Sequence, residues 1–114
     1  MVTLKGKEVL YMRIIATTQE FDELINSGKK VLVDFFAEWC GPCKMLGPVL
    51  EKLDPEYPDV EFVKVDVDQL PQIAQRYGIM SIPTYYAFNN GEVVQSGMGY
   101  VPANGMKAFL ECLK

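Results

Sequence analysis

Two cysteines three positions apart, in Trp39-Cys40-Gly41-Pro42-Cys43, are the residues of this chain best suited to chemistry. A thiol attacks a disulfide only as its thiolate. If a helix begins at Cys40, the unpaired backbone N–H groups and the positive end of the helix dipole face that sulfur and favour the anion. Cys43 then lies about 4.5 Å further along the axis, at about 1.5 Å per residue, on nearly the same face. That brings its sulfur within bridging reach of Cys40 and its backbone N–H near the Cys40 sulfur. Cys40, at the exposed helix tip, is expected to attack a substrate disulfide and form a mixed disulfide. Cys43, one turn inside, then attacks Cys40 and releases the reduced substrate. Pro42 suits an early helical position, where no N–H partner is needed, and its fixed φ stiffens the turn. Gly41 keeps the rim small enough for a protein substrate to approach.

The competing reading of this spacing is half of a zinc site. A tetrahedral site needs four ligands, and the chain offers Cys40, Cys43, a distant Cys112 and no histidine. The lack of histidine also leaves acid–base work to carboxylates, lysines, thiols or water. Cys112 sits beside the apolar stripe of a C-terminal helix, where an inert small hydrophobe is expected rather than an intermolecular disulfide. Three cysteines in all do not make the framework of a disulfide-stapled secreted domain.

The elements that must hold the dithiol are legible around it. Val31 to Phe36 is a near-continuous apolar run, as in a central strand covered on both faces. The helix after it is expected over Gly41 to Leu53, with Cys43, Leu46, Gly47, Leu50 and Leu53 on one face. Pro48 should kink this helix and Pro55 end it, and Gly47 loosens it by about 1 kcal/mol relative to alanine. Upstream, Val9 to Ala16 reads as a first strand. A short helix follows, opened by the capping pair Thr17 and Glu20, with Phe21, Leu24 and Ile25 on its stripe and Gly28 as its stop. Downstream come a strand from Val60 to Val67 and a short helix opened by Pro71 and closed by Gly78. The strands Thr84–Phe88 and Glu92–Ser96 flank the hairpin signal Asn89-Asn90-Gly91. A last helix is expected from Asn104 to Lys114. The order βαβαβαββα favours a parallel sheet extended by antiparallel strands, with helices on both faces.

Composition narrows the classes. The 114 residues suit one domain, 1–114, and no repeat or linker divides them. Hydrophobic residues at 49% and charged residues at 23% are ordinary for a globular chain. A net charge of −4 argues against nucleic acid or anionic membrane as main partner. No apolar run is long enough to span a bilayer. Lys5 and Lys7 precede an apolar stretch that Arg13 interrupts before any cleavage-site pattern, so a cytoplasmic location is expected.

Val31 to Lys44, with its Trp39-Cys40-Gly41-Pro42-Cys43 turn, resembles the signature strand and active-site turn of the thioredoxin family. Tyr77-Gly78-Ile79-Met80-Ser81-Ile82-Pro83-Thr84 resembles that family's substrate-facing loop, and Asn90-Gly91-Glu92 and Gly99 fall at its later spacings. The resemblance covers about residues 9–114. It implies an α/β thioredoxin fold: a central mixed five-stranded sheet flanked by four helices.

Further roles follow from the resemblance. Asp34 matches the family's buried aspartate, which handles the proton on the inner thiol; an acid in an apolar strand should in any case have a raised pKa through desolvation. Lys64 matches the lysine that approaches this aspartate from the neighbouring strand. Pro83 matches the family's cis-proline opposite the dithiol, which exposes the Ile82 backbone for strand-like pairing with an extended substrate segment. Trp39, Gly41, Pro42, Ile82, Gly99 and Tyr100 would form a flat, mostly apolar docking surface.

The implied activity is reduction of protein disulfides through Cys40 and Cys43 without a bound cofactor or metal. A flavin-dependent thioredoxin reductase drawing on NADPH would restore the dithiol. Implied substrates are disulfide-containing proteins such as peroxiredoxins, ribonucleotide reductase or methionine sulfoxide reductase, served by a monomer. Gly41-Pro42 between the cysteines looks like the reducing branch rather than isomerases or glutaredoxins. The chain departs from the family pattern at Phe36, where many relatives carry tryptophan, and at Met80-Ser81, which replaces basic or small residues and bears on partner choice.

Overall fold

The computed structural model describes residues 12–114. The strands are β1 (Arg13–Ile14), β2 (Lys30–Phe36), β3 (Val60–Asp66), β4 (Thr84–Asn89) and β5 (Glu92–Met98). The helices are α1 (Thr18–Ile25), α2 (Gly41–Leu53), α3 (Pro71–Arg76) and α4 (Ala103–Leu110). Short 3-10 turns, Asp54–Glu56 and Glu111–Leu113, follow α2 and α4.

The strands lie in the order β1-β3-β2-β4-β5. β1, β3 and β2 run parallel, whereas β4 and β5 are antiparallel additions. The expected mixed five-stranded sheet with four helices is what forms. β2 has neighbours on both edges and is buried from Val31 to Phe36, which is why its sequence carries almost no alternation. Side chains still alternate between its faces. Val31, Val33 and Phe35 join Phe21, Leu24 and Ile73 on the face covered by α1 and α3. Leu32 joins Leu46, Leu50, Met106 and Leu110 on the face covered by α2 and α4.

Local chemistry sets the ends of these elements. The Glu20 N–H donates to Thr17 Oγ1 at 3.0 Å and the Glu20 carboxylate accepts from the Ala16 N–H at 2.7 Å, closing the start of α1. At the hairpin, Asn90 and Gly91 have φ of 55° and 86°. Both central residues therefore take the left-handed conformation that a two-residue strand connection requires. Gly97 in β5 lies against the Tyr85 ring, where a Cβ would come within 2.5 Å of Cε2.

Elements at both ends of the described chain differ from expectation. The first strand is described only at Arg13–Ile14, flanked by the buried Met12 and Ile15, and residues 9–11 lie outside the described residues. The last helix starts one residue earlier than expected and tightens into a 3-10 turn after Leu110. α2 spans Gly41–Leu53 as expected, with Pro48 inside it, and Pro55 lies in the turn that ends it.

Candidate active site

The buried strand β2 ends at Phe36, and three residues later the chain turns into α2 with Cys40 as its N-cap. Cys40 has extended backbone angles, φ −86° and ψ 114°, so its side chain folds back over the first helical turn. The Cys43 N–H donates to Cys40 Sγ at 3.2 Å. The two cysteines, with Cα atoms 5.3 Å apart, are joined as a disulfide. A donor from the first turn thus points at the outer sulfur, the arrangement that stabilises a thiolate after reduction.

One expectation needs correction. Cys40 is not at an exposed tip: it is only 4% exposed, against 5% for Cys43. Cys40 Sγ lies 3.7 Å from the Ile82 carbonyl oxygen, and Phe36, Ala37 and Ile82 complete a small apolar nest around both sulfurs. The covering segment is the one that leads into β4, a long-range contact that helix position alone does not reveal. Gly41 and Pro42 are exposed beside this nest, and no heavy atom lies within 4 Å of where a Gly41 Cβ would stand.

Asp34 sits in the middle of β2 on the side covered by α2, in register with Lys64 on β3. It is fully buried, and neither carboxylate oxygen has a hydrogen-bond partner in the protein. Burial pushes its pKa up to about 7, against the opposing pull of the Lys64 charge. Lys64 is half-buried, with Nζ 4.3 Å from the centre of the Phe36 ring. The aromatic face carries the cation where direct pairing would otherwise hold it. Phe36, Cys43, Lys44 and Lys64 share a cleft of about 330 Å³ on this side of the dithiol.

On the other side, the Ile82–Pro83 peptide bond is cis, as the resemblance implied. The Gly99 N–H donates to the Pro83 carbonyl at 2.8 Å, and Thr84 Oγ1 donates to the Ser81 carbonyl at 2.6 Å. Gly99 has φ +84°, a conformation that favours glycine. Trp39 is 71% exposed, and it shares a cleft with Ile82. Tyr100 is exposed just past β5.

The structure therefore gathers Cys40, Cys43, Trp39, Ile82 and Pro83 at one end of the sheet, and Lys64, in register with Asp34, borders the same cleft as Cys43. Cys112 is half-buried against the α2/α4 core, and burial pushes its thiol pKa up. Sequence reading missed Asp68, whose Oδ2 accepts from Trp39 Nε1 at 2.9 Å and fixes the indole beside Cys40. Its position just after the β3 run is the only local signal, and it does not name a partner. Among the described residues no group of three or more histidine, cysteine or acidic side chains could hold a metal ion.

Known proteins agree with this geometry. The family model described as Thioredoxin matches residues 12–112. A thioredoxin of Mycoplasmoides gallisepticum is 45% identical over 100 residues, 88% of this chain and 100% of that protein. The structure of Fasciola hepatica thioredoxin superposes with a TM-score of 0.84 at 38% identity, over 90% of this chain and 100% of that one. Another similar structure comes from a study of thiol resolution in yeast mitochondrial 1-Cys peroxiredoxin via glutathione and thioredoxin systems. It has a TM-score of 0.80 at 37% identity and covers 88% of this chain and 94% of that one. The chain belongs to the thioredoxin family and is a thiol–disulfide oxidoreductase.

Proposed function

We propose that this chain reduces disulfides of other proteins, with Cys40 as the attacking and Cys43 as the resolving sulfur. The observation that carries the assignment is the Cys43 N–H directed at Cys40 Sγ where α2 begins. The Cys40 thiolate attacks one sulfur of the substrate disulfide, and the other leaves as a thiolate. Cys43 loses its proton and attacks Cys40; the Cys40–substrate bond breaks and the substrate leaves with both sulfurs reduced. Two electrons pass from the dithiol to the substrate, and Cys40–Cys43 is left oxidised. Asp34 accepts and returns the Cys43 proton, a task suited to a carboxyl whose pKa lies near 7. Lys64 tempers that pKa from the neighbouring strand.

The substrate docks on Trp39, Gly41, Pro42, Ile82, Gly99 and Tyr100, with Pro83 presenting the Ile82 backbone to an extended segment. Residues 1–114 act as one domain and a monomer, in the cytoplasm and without a bound cofactor. A thioredoxin reductase restores the dithiol with NADPH and flavin held on that partner. Candidate substrates are peroxiredoxins, ribonucleotide reductase and methionine sulfoxide reductase; the peroxiredoxin choice draws support from the similar yeast structure.

Insulin reduction coupled to NADPH and a thioredoxin reductase tests the reading. Cys40→Ser is expected to abolish turnover, and Cys43→Ser to accumulate mixed disulfides resolvable on non-reducing gels. Wild-type turnover by Cys40→Ser overturns the assignment.

A further inference from the structure

The segment Gly78–Ser81 separates two clefts at the disulfide end of the sheet. One, of about 380 Å³, lies between this segment and the end of β5, and Met80, Ser81, Thr84 and Met98 are among its walls. The other, of about 160 Å³, lies toward Trp39 and Ile82 and again includes Met80 and Ser81. Met80 borders both. It is 95% exposed and Met98 is 68% exposed, whereas Met12 and Met106 are buried in the core. Ser81 Oγ donates to Met98 Sδ at 3.6 Å. Ser81 adjoins the cis Ile82–Pro83 unit, and the residue after Met98 donates to the Pro83 carbonyl. Two accessible thioethers thus flank the segment whose carbonyl lies beside Cys40.

We propose that Met80 and Met98 are oxidation sites for hydroperoxides, and that their sulfoxides weaken docking of protein disulfides without altering Cys40–Cys43 chemistry. A lone pair on the thioether sulfur attacks one oxygen of hydrogen peroxide. An S–O bond forms as the O–O bond breaks, and the departing hydroxide takes the proton from the transferred oxygen to become water. The sulfur is oxidised by two electrons and the peroxide is reduced. The product replaces a soft apolar group with a polar one. At Met98 the new oxygen is a stronger acceptor for the Ser81 hydroxyl than sulfur is, so the end of β5 is held to the cis-proline segment. At Met80 it places a solvated dipole on the rim of both clefts, where an apolar group of the substrate would otherwise lose its water.

The proposal rests on the reading that this face receives the substrate, and the test separates the two. The full chain is brought to its disulfide form, which closes Cys40 and Cys43 to peroxide, treated with hydrogen peroxide, and freed of oxidant with catalase. Peptide mass mapping scores oxygen gain at each methionine and at Cys112. Turnover with dithiothreitol is then measured on insulin and on a small aromatic disulfide, each protein being compared with itself before and after treatment. Met80 and Met98 are expected to gain oxygen before Met12 and Met106. The KM for insulin is expected to rise about fivefold while the small-disulfide rate holds. Met80→Leu/Met98→Leu is expected to keep its own KM through treatment. An unchanged insulin KM with both methionines oxidised, or an equal rise in the double variant, overturns the proposal. Undiminished insulin turnover by untreated Cys40→Ser instead overturns the assignment of the site.

Discussion

Two aspartates are buried in neighbouring strands of the same sheet and are treated oppositely by their surroundings. Asp66 closes β3, and its Oδ1 accepts from the backbone N–H groups of Asp68 at 2.9 Å and Gln69 at 3.3 Å. Asp34 lies mid-strand in β2, fully enclosed, with no partner for either oxygen. The first is a turn-forming carboxylate that organises the chain toward α3. The second is held where burial without hydrogen bonds favours the neutral acid and costs stability once that acid ionises. The difference separates a carboxyl whose surroundings support the fold from one whose ionisation the fold opposes, as the proposed proton transfer by Asp34 requires.

The largest expected effect comes from removing the Asp34 charge. Its pKa in the folded chain is about 7 against an ordinary 3.8. Below about pH 3 the group is neutral in both folded and unfolded chains and nothing is lost. As pH rises toward 7 the unfolded chain ionises while the folded one keeps its proton, so stability falls; above 7 the deficit is complete. At about 1.36 kcal/mol per pH unit the gap amounts to about 4 kcal/mol. Asp34→Asn is therefore expected to match the native chain near pH 3 and to exceed it by up to about 4 kcal/mol at pH 8, read by urea unfolding. Its disulfide turnover should fall and lose its pH dependence near neutrality. An equal stability difference at both pH values would break the contrast between the two aspartates.

Asp66→Ala is expected to do the reverse at smaller scale. Loss of two hydrogen bonds to backbone N–H groups should destabilise the chain by about 2 kcal/mol, with turnover retained in chain that remains folded. A fall in turnover that exceeds the loss of folded protein would show that Asp66 also serves the chemistry. Lys64→Gln sharpens the comparison by the smallest step. Lys64 lowers the Asp34 pKa, so its removal should move the Asp34 titration upward, followed by its carboxyl carbon resonance. No movement would mean that the cation over Phe36 is electrostatically remote.

What could be read from sequence was mostly local. The Thr17–Glu20 cap, the Asn90-Gly91 turn and the Cys40–Cys43 spacing each specify geometry within a few residues, and each appears as expected. The burial of Asp34 follows from the unbroken apolar run around it. Features made by distant segments were not legible. The Ile82 carbonyl over Cys40, the Asp68 anchor of Trp39 and the fit of Gly97 against Tyr85 join positions 42, 29 and 12 residues apart. Pro83 is an instructive middle case: its cis bond came from family resemblance, because a proline in a sequence does not declare its isomer.

The arrangement at the start of α2 makes one demand that can be measured directly on the reduced protein. Each thiol is labelled with limiting iodoacetamide across neutral pH, and alkylation at Cys40, Cys43 and Cys112 is quantified by mass spectrometry. Cys40 is expected to be modified well ahead of the other two, because the Cys43 N–H and the first turn of α2 stabilise its anion alone. Labelling of Cys40 and Cys43 at equal rates would contradict that assignment at its root.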